Sequence, residues 1–98
     1  MKLLTKEIKS KLPLLYLQEG ENDPTVHAKF FLGPFTWYVL EGQEADGGFL
    51  FFGEVVSNMG SEFGYFTLEE LEEVRSPIGT SVERDIHFSP KPLSEVAR

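Results

Sequence analysis

The spacing of apolar residues changes several times along this chain, and each change predicts an element. Leu4, Ile8 and Leu12 recur every fourth position, which stacks them on one face of a short helix over residues 6–12. Thr5 is placed to cap that helix, Pro13 stops it, and Lys6 and Lys9 point away from the apolar stripe. Leu14, Leu15, Tyr16 and Leu17 extend the apolar signal by what reads as another helical turn. Residues 18–24 are polar and end in Asn22-Asp23-Pro24, a loop signature.

Beyond that loop the pattern becomes that of strands. Residues 26–32 predict a first strand, Gly33-Pro34 turns the chain, and residues 35–41, rich in aromatic and β-branched side chains, return as its hairpin partner. Residues 42–48 are polar and glycine-bearing, and predict a loop. The nearly continuous apolar run 49–56 predicts a central strand buried on both faces. Gly53 within it marks a bulge or a close backbone approach. Residues 57–61 turn, and residues 62–66 pair back.

A capping box follows. Thr67 and Glu70 are three apart, so the hydroxyl can accept from the amide of residue 70 while the carboxylate reaches back to the amide of residue 67. Leu68, Leu71 and Val74 line one face of the helix that starts there, and Phe66 can staple onto Leu71. Arg75 suits the last turn, and Pro77 and Gly79 end the element. Residues 81–88 predict a last strand, after which Pro90 and Pro92 lead into a tail expected to fray. Helix, four strands as two successive hairpins, helix and strand make an α+β domain over residues 1–98. Its sheet is mainly antiparallel, with about five strands, an N-terminal helix and one acidic helix before the last strand.

Composition sharpens this picture. A hydrophobic content of 41% and an aromatic content of 13%, nine of the rings phenylalanines, predict a globular core built largely from rings. The chain has no cysteine, which excludes disulfides, thiol nucleophiles and sulfur-ligated zinc and suits a reducing cytosol. A net charge of −7 argues against nonspecific nucleic-acid binding, which needs a basic surface. The charge is uneven: four lysines against Glu7 give residues 1–12 a balance of +3, so the other 86 residues carry −10. The basic helix can complement the acidic body or form a separate contact surface. No apolar run approaches the roughly 20 residues of a membrane helix, and the N-terminus turns charged too early for a signal peptide, so a soluble cytoplasmic protein without membrane contact is expected.

Alternation along residues 81–88 sets Glu83, Asp85 and His87 on one strand face, with Arg84, Ile86 and Phe88 on the other. Two carboxylates and an imidazole at that spacing suit a divalent metal or acid–base chemistry. A wet edge strand shows the same pattern, and that structural reading comes first. Arg84 on the apolar side needs a carboxylate partner, for which Glu54 is the candidate. His27 reads as a rim residue; His27, His87 and Asp85 would make a metal site only if the fold brought them together. Trp37, Tyr38 and Tyr65 read as core or cross-strand residues before they read as a pocket lining. Glu69, Glu70, Glu72 and Glu73 cover the outer face of the second helix. They form a solvated face first and a docking ridge for a basic partner second, with like-charge pairs at contact spacing each costing about 0.2–0.5 kcal/mol. Phosphate-binding glycine loops, the His-Glu-x-x-His zinc signature and the nucleophile elbow are all absent, and no cofactor is implied.

Several segments, taken in order, resemble one family. They are Leu3-Leu4-Thr5-Lys6-Glu7-Ile8 with Leu12-Pro13, Val26-His27-Ala28-Lys29-Phe30-Phe31, Thr36-Trp37-Tyr38, and Phe51-Phe52-Gly53. Glu62-Phe63-Gly64-Tyr65-Phe66-Thr67-Leu68-Glu69-Glu70-Leu71-Glu72 and Val82-Glu83-Arg84-Asp85-Ile86-His87-Phe88 complete the set. Over residues 3–94 the chain resembles short bacterial proteins, frequent on plasmids and other mobile elements, grouped as a domain of unknown function. The resemblance implies a single bacterial cytoplasmic domain with an accessory role in mobile-element biology, and it assigns no catalytic role to any residue. Phe63 stands where that family would have a smaller aliphatic residue, a departure expected to affect packing only.

The leading expectation is therefore a non-enzymatic accessory protein that binds a protein or ribonucleoprotein. One form of it is an inhibitor of a host defence or nucleic-acid-handling protein, with Glu69, Glu70, Glu72 and Glu73 as the contact surface. The alternative is a small metal-dependent enzyme or binder using Glu83, Asp85 and His87. A homodimer through a sheet edge is compatible with either.

Overall fold

Tight turns between long apolar strands generate the frame. The computed structural model describes residues 1–96 and contains α1 (Lys6–Lys11), β1 (Thr25–Val26), β2 (Ala28–Leu32), β3 (Phe35–Ala45), β4 (Gly48–Ser57) and β5 (Gly60–Thr67). These are followed by α2 (Leu68–Glu73), β6 (Glu83–Arg84), β7 (Lys91–Pro92) and a 3₁₀ turn, Leu93–Glu95. Strands β5-β4-β3-β2-β6 form one antiparallel sheet in that order, and β1 pairs with β7 apart from it. The fold is thus α+β with a mainly antiparallel five-stranded sheet, as the patterning predicts. The four central strands form one continuous meander and not two separate hairpins, because β3 and β4 pair along almost their whole lengths.

The predicted loop over residues 42–48 does not exist. Strand β3 runs on to Ala45 and the turn is only Asp46-Gly47, with φ of +50° and +79°. Positive φ at both central residues matches the right-handed strand twist, so Asp-Gly closes a two-residue hairpin and the polar residues before it stay in the ladder. One irregularity interrupts that ladder. Val39 pairs with Gly53 and Glu41 with Phe52, which leaves Leu40 as an extra, bulged residue. Gly53 is there because of a close approach: a Cβ on it would stand 2.0 Å from the Tyr38 carbonyl oxygen.

One face of the sheet holds the main core. Phe30, Trp37, Val39, Phe49, Phe51 and Phe66 pack there with Leu4 and Leu12 from around α1 and Leu71 from α2. Phe51 is central, with Phe49, Phe66 and Phe30 at ring-centroid distances of 5.1, 5.5 and 5.8 Å. The opposite face carries a smaller cluster of Val26, Tyr38, Leu40 and Leu93, against which Phe52 packs half-buried. Residues 49–56 are therefore not sealed on both sides. Phe49 and Phe51 are buried, whereas Leu50 and Phe52 are only half-covered.

Both capping predictions hold. The Thr5 hydroxyl accepts from the Ile8 amide at 3.1 Å, and the Thr67–Glu70 box closes in both directions at 3.0 Å. Arg75 donates to the Glu72 and Val74 carbonyls just beyond α2, satisfying groups the helix leaves open. Val74 itself is the C-cap and is exposed, so the apolar face of α2 reduces to buried Leu71 and half-buried Leu68.

Four further expectations are corrected. The first strand breaks at His27, whose amide donates to the Val39 carbonyl, and the break sends Val26 to the smaller cluster and Ala28 to the main core. Residues 14–20 form a succession of turns and not a helical turn, with Tyr16 at φ +73°. The last strand stops at Arg84: the Asp85 side chain accepts from the His87 amide and its carbonyl from the Phe88 amide, so the aspartate bends the chain into a turn. The tail does not fray up to Val96. Leu93 donates to the Pro24 carbonyl, and the Asp23 carboxylate accepts from the amide and hydroxyl of Ser94 at 2.9 and 2.6 Å.

Candidate functional site

The turn after Arg84 ends the strand alternation that would set Glu83, Asp85 and His87 on one face. Glu83 and His87 are exposed, and Asp85 sits 3.8 Å from the Lys29 ammonium. Among the described residues, no group of three or more histidine, aspartate or glutamate side chains is placed to hold a metal ion. His27 and Asp85 border a common cavity of about 280 Å³, alongside Lys29 and Arg84, and His87 is outside that lining. Desolvation holds the His27 imidazole below its usual pKa, and its buried Nδ1 has no hydrogen-bond partner among the described residues. Arg84 does not meet Glu54. Strands β2 and β3 stand between β6 and β4, so the guanidinium instead caps the Lys2 and Leu3 carbonyls while Glu54 lies opposite Tyr38 in register.

All four glutamates of α2 are exposed, but they are not equivalent. Glu70 closes the capping box. Glu69 folds over Gly48 and accepts from the Phe49 amide at 3.4 Å. That leaves Glu72 and Glu73 as the outward-facing pair of the ridge. The basic helix is partly complementary to the body, since Lys9 reaches Glu44 at 2.6 Å and holds that carboxyl below its ordinary pKa.

A different surface shows the most organised chemistry, on the sheet face opposite the helices. The bulge at Leu40 puts Leu40 and Glu41 on the same side of β3, which delivers a carboxylate beneath residues 14–24. Glu41 is only 4% exposed. Its Oε1 accepts from the Tyr16 amide at 2.8 Å and its Oε2 from the Gln18 amide at 2.7 Å. Gln18 continues the lacing. Its Nε2 donates to the Thr25 and Leu40 carbonyls at 3.1 and 2.9 Å, and its Oε1 accepts from the Thr25 amide at 2.8 Å. Gln43 accepts from the Leu15 amide at 3.1 Å. A left-handed residue other than glycine costs about 1–3 kcal/mol, and these bonds are what hold Tyr16 there.

Between the tethered loop and the edge hairpin lies a cleft of about 370 Å³. On β4 and β5, Phe52 is in register with Tyr65, ring centroids 5.0 Å apart, and Phe63 stacks beside it at 6.3 Å. Tyr16 supplies a ring from the loop, Glu19, Glu21 and the buried Glu41 are acidic residues of the lining, and among the described residues no lysine, arginine or histidine lines the cleft. The Tyr65 hydroxyl is held above its ordinary pKa, first by its hydrogen bond with Tyr16, then by desolvation, the Tyr16 charge and the charges of Glu41 and Glu19. Of the three aromatics singled out in the sequence, Trp37 and Tyr38 are buried and Tyr65 lines this cleft. Phe63 is 52% exposed and forms part of the wall. Sequence patterning did not single out Glu41, whose one available signal is that it is a glutamate ending an apolar strand run.

A family profile described as "Protein of unknown function (DUF2958)" matches residues 3–98, and the chain belongs to that family. No curated protein and no solved structure matches it.

Proposed function

We propose that this member of the family is a non-catalytic accessory protein that binds a basic surface of another macromolecule, a protein or a ribonucleoprotein. The observation carrying the reading is the cleft, where aromatic rings share an opening with the exposed residues Glu19 and Glu21 and which no cation among the described residues lines. The α2 ridge supports it as a second acidic contact, with Glu72 and Glu73 outermost. Such a protein would occupy a site made for nucleic acid, which suits inhibition of a defence or nucleic-acid-handling protein, and the bacterial cytoplasm and a mobile element are the setting the reading assumes.

The test is capture of partners from cells that carry the protein, at low and moderate salt, using the parent chain and a Glu72→Lys/Glu73→Lys variant that spares the capping box. A stoichiometric partner lost with rising salt, and lost from the variant, is the expected result. A partner held equally well by the variant would remove α2 from the contact. No stoichiometric partner under either condition would overturn the reading.

A further inference from the structure

We infer that the cleft formed by Tyr16, Phe52, Phe63 and Tyr65 receives one basic side chain of a protein partner, arginine by preference. The inference rests on the binding reading above and names the chemistry of the group that enters. How the chain treats its other rings is the first support. Lys9 lies 5.7 Å from the Phe49 ring centroid, Lys29 5.9 Å from that of Tyr38 and Lys91 5.2 Å from that of Phe88. Among the described residues no cation of the chain covers the four cleft rings in this way, although Tyr16, Phe63 and Tyr65 are each more than half exposed. Ring faces attract cations through their quadrupole, and at Phe49, Tyr38 and Phe88 that attraction is met from within.

Charge is the second support. Exposed Glu19 and Glu21 border the same opening, with Glu41 buried and bound to the Tyr16 and Gln18 amides. Among the described residues no basic one joins the lining, so the site is complementary to a cation before any partner arrives. The Tyr65 hydroxyl, held above its ordinary pKa first by its hydrogen bond with Tyr16, feels the charges of Glu41 and Glu19 as a smaller part of that shift. A hard metal ion needs several oxygen ligands converging on one point, and the described carboxylates do not converge. A neutral apolar ligand would make no use of the carboxylates. Guanidinium fits both halves of the site. It is planar and weakly hydrated enough to lie on a ring, and it has five donors to share among carboxylates and tyrosine hydroxyls.

The test is a titration of the full chain with N-acetyl-arginine amide, with the neutral isostere N-acetyl-citrulline amide as the control, followed through assigned aromatic and methyl NMR signals. Saturable shifts at Tyr16, Phe52, Phe63 and Tyr65 are expected from the arginine compound and not from citrulline. Glu19→Gln on the exposed loop should weaken the effect by up to about fivefold, the range of a partly exposed ion pair. Phe63→Ala should weaken it by a similar factor through loss of a ring face. Equal shifts from citrulline, shifts spread over the α2 ridge, or no saturable shift at the four rings would each overturn the inference. Should the amide fail while Glu72→Lys/Glu73→Lys still abolishes partner capture, the cleft assignment falls and the binding reading stands. Should the amide saturate the cleft while no partner is captured, the binding reading falls and the cation site stands.

Discussion

Replacing Glu41 with alanine tests whether one buried carboxylate holds the cleft open. The substitution removes two charge-assisted hydrogen bonds, to the Tyr16 and Gln18 amides, at a site 4% exposed. A bond to a charged group contributes about 1.5–3 kcal/mol, and a buried amide left without an acceptor costs about 1–3 kcal/mol. Tyr16 and its neighbour Leu17 are exposed, so water can reach the freed amides, which places the total near the low end, at about 3 kcal/mol. For a chain of this length each kcal/mol moves the thermal midpoint by about 4–8 °C, so a fall of roughly 12–24 °C is expected. Two assays are needed, because the loop can open while the sheet stays folded. Thermal or urea melts read the global loss. Amide hydrogen exchange at Gln18 and Thr25, both laced through this network, reads the local one. In Glu41→Ala the Gln18 and Thr25 amides should lose protection together, while the buried sheet residues Phe30 and Phe51 keep theirs until global unfolding. Glu44→Ala removes a carboxylate from the same strand at an exposed position and serves as the control. If Glu41→Ala matched that control in midpoint and in exchange at Gln18 and Thr25, the argument that Glu41 organises the loop would be wrong.

Gly53 and Gly64 are register partners, and the same substitution should separate them. Gly53→Ala drives a Cβ into the Tyr38 carbonyl, backbone that cannot step aside, and should cost at least about 3 kcal/mol in urea melts; Gly64→Ala meets nothing within 4 Å and should be neutral or stabilise by about 0.4–1 kcal/mol through the unfolded chain. The His27 pKa lies below its usual 6.5, so the unfolded chain takes up a proton before the folded one, and the associated stability is present above pH 6.5 and lost as pH falls through the folded value. Urea midpoints measured across that window should decline in the parent and flatten in His27→Gln, and parallel curves would assign the decline to other groups. Asp23 and Glu44, both below their ordinary values, contribute the same sign at lower pH.

Local rules were legible wherever the interacting residues are neighbours in sequence. The Thr5 cap, the Thr67–Glu70 box, the Pro13 stop and the close approach at Gly53 all came from residue type and short spacing. Failures arose where a local signal competed with another or with the fold. Polarity over residues 42–48 suggested a loop, but the Asp46-Gly47 turn chemistry decides where the hairpin closes. Alternation over residues 81–88 suggested a strand, but the Asp85 side chain offers its own acceptor and the ladder ends. The tail looked unattached, because nothing near Ser94 in sequence announces its bonds to Asp23.

Sequence by itself determined the class of the fold, the identity of the capped helices, the aromatic character of the core and the acidic balance of the surface, since each depends on composition or on contacts a few residues apart. Tertiary structure alone decided the strand order that keeps Arg84 from Glu54 and the bulge that turns Glu41 toward residues 14–24. It also decided the meeting of Tyr16 with Phe52, Phe63 and Tyr65 around one opening. Those depend on which strands become neighbours and on a one-residue shift in register, and a shift of one residue reverses the face that every later side chain presents.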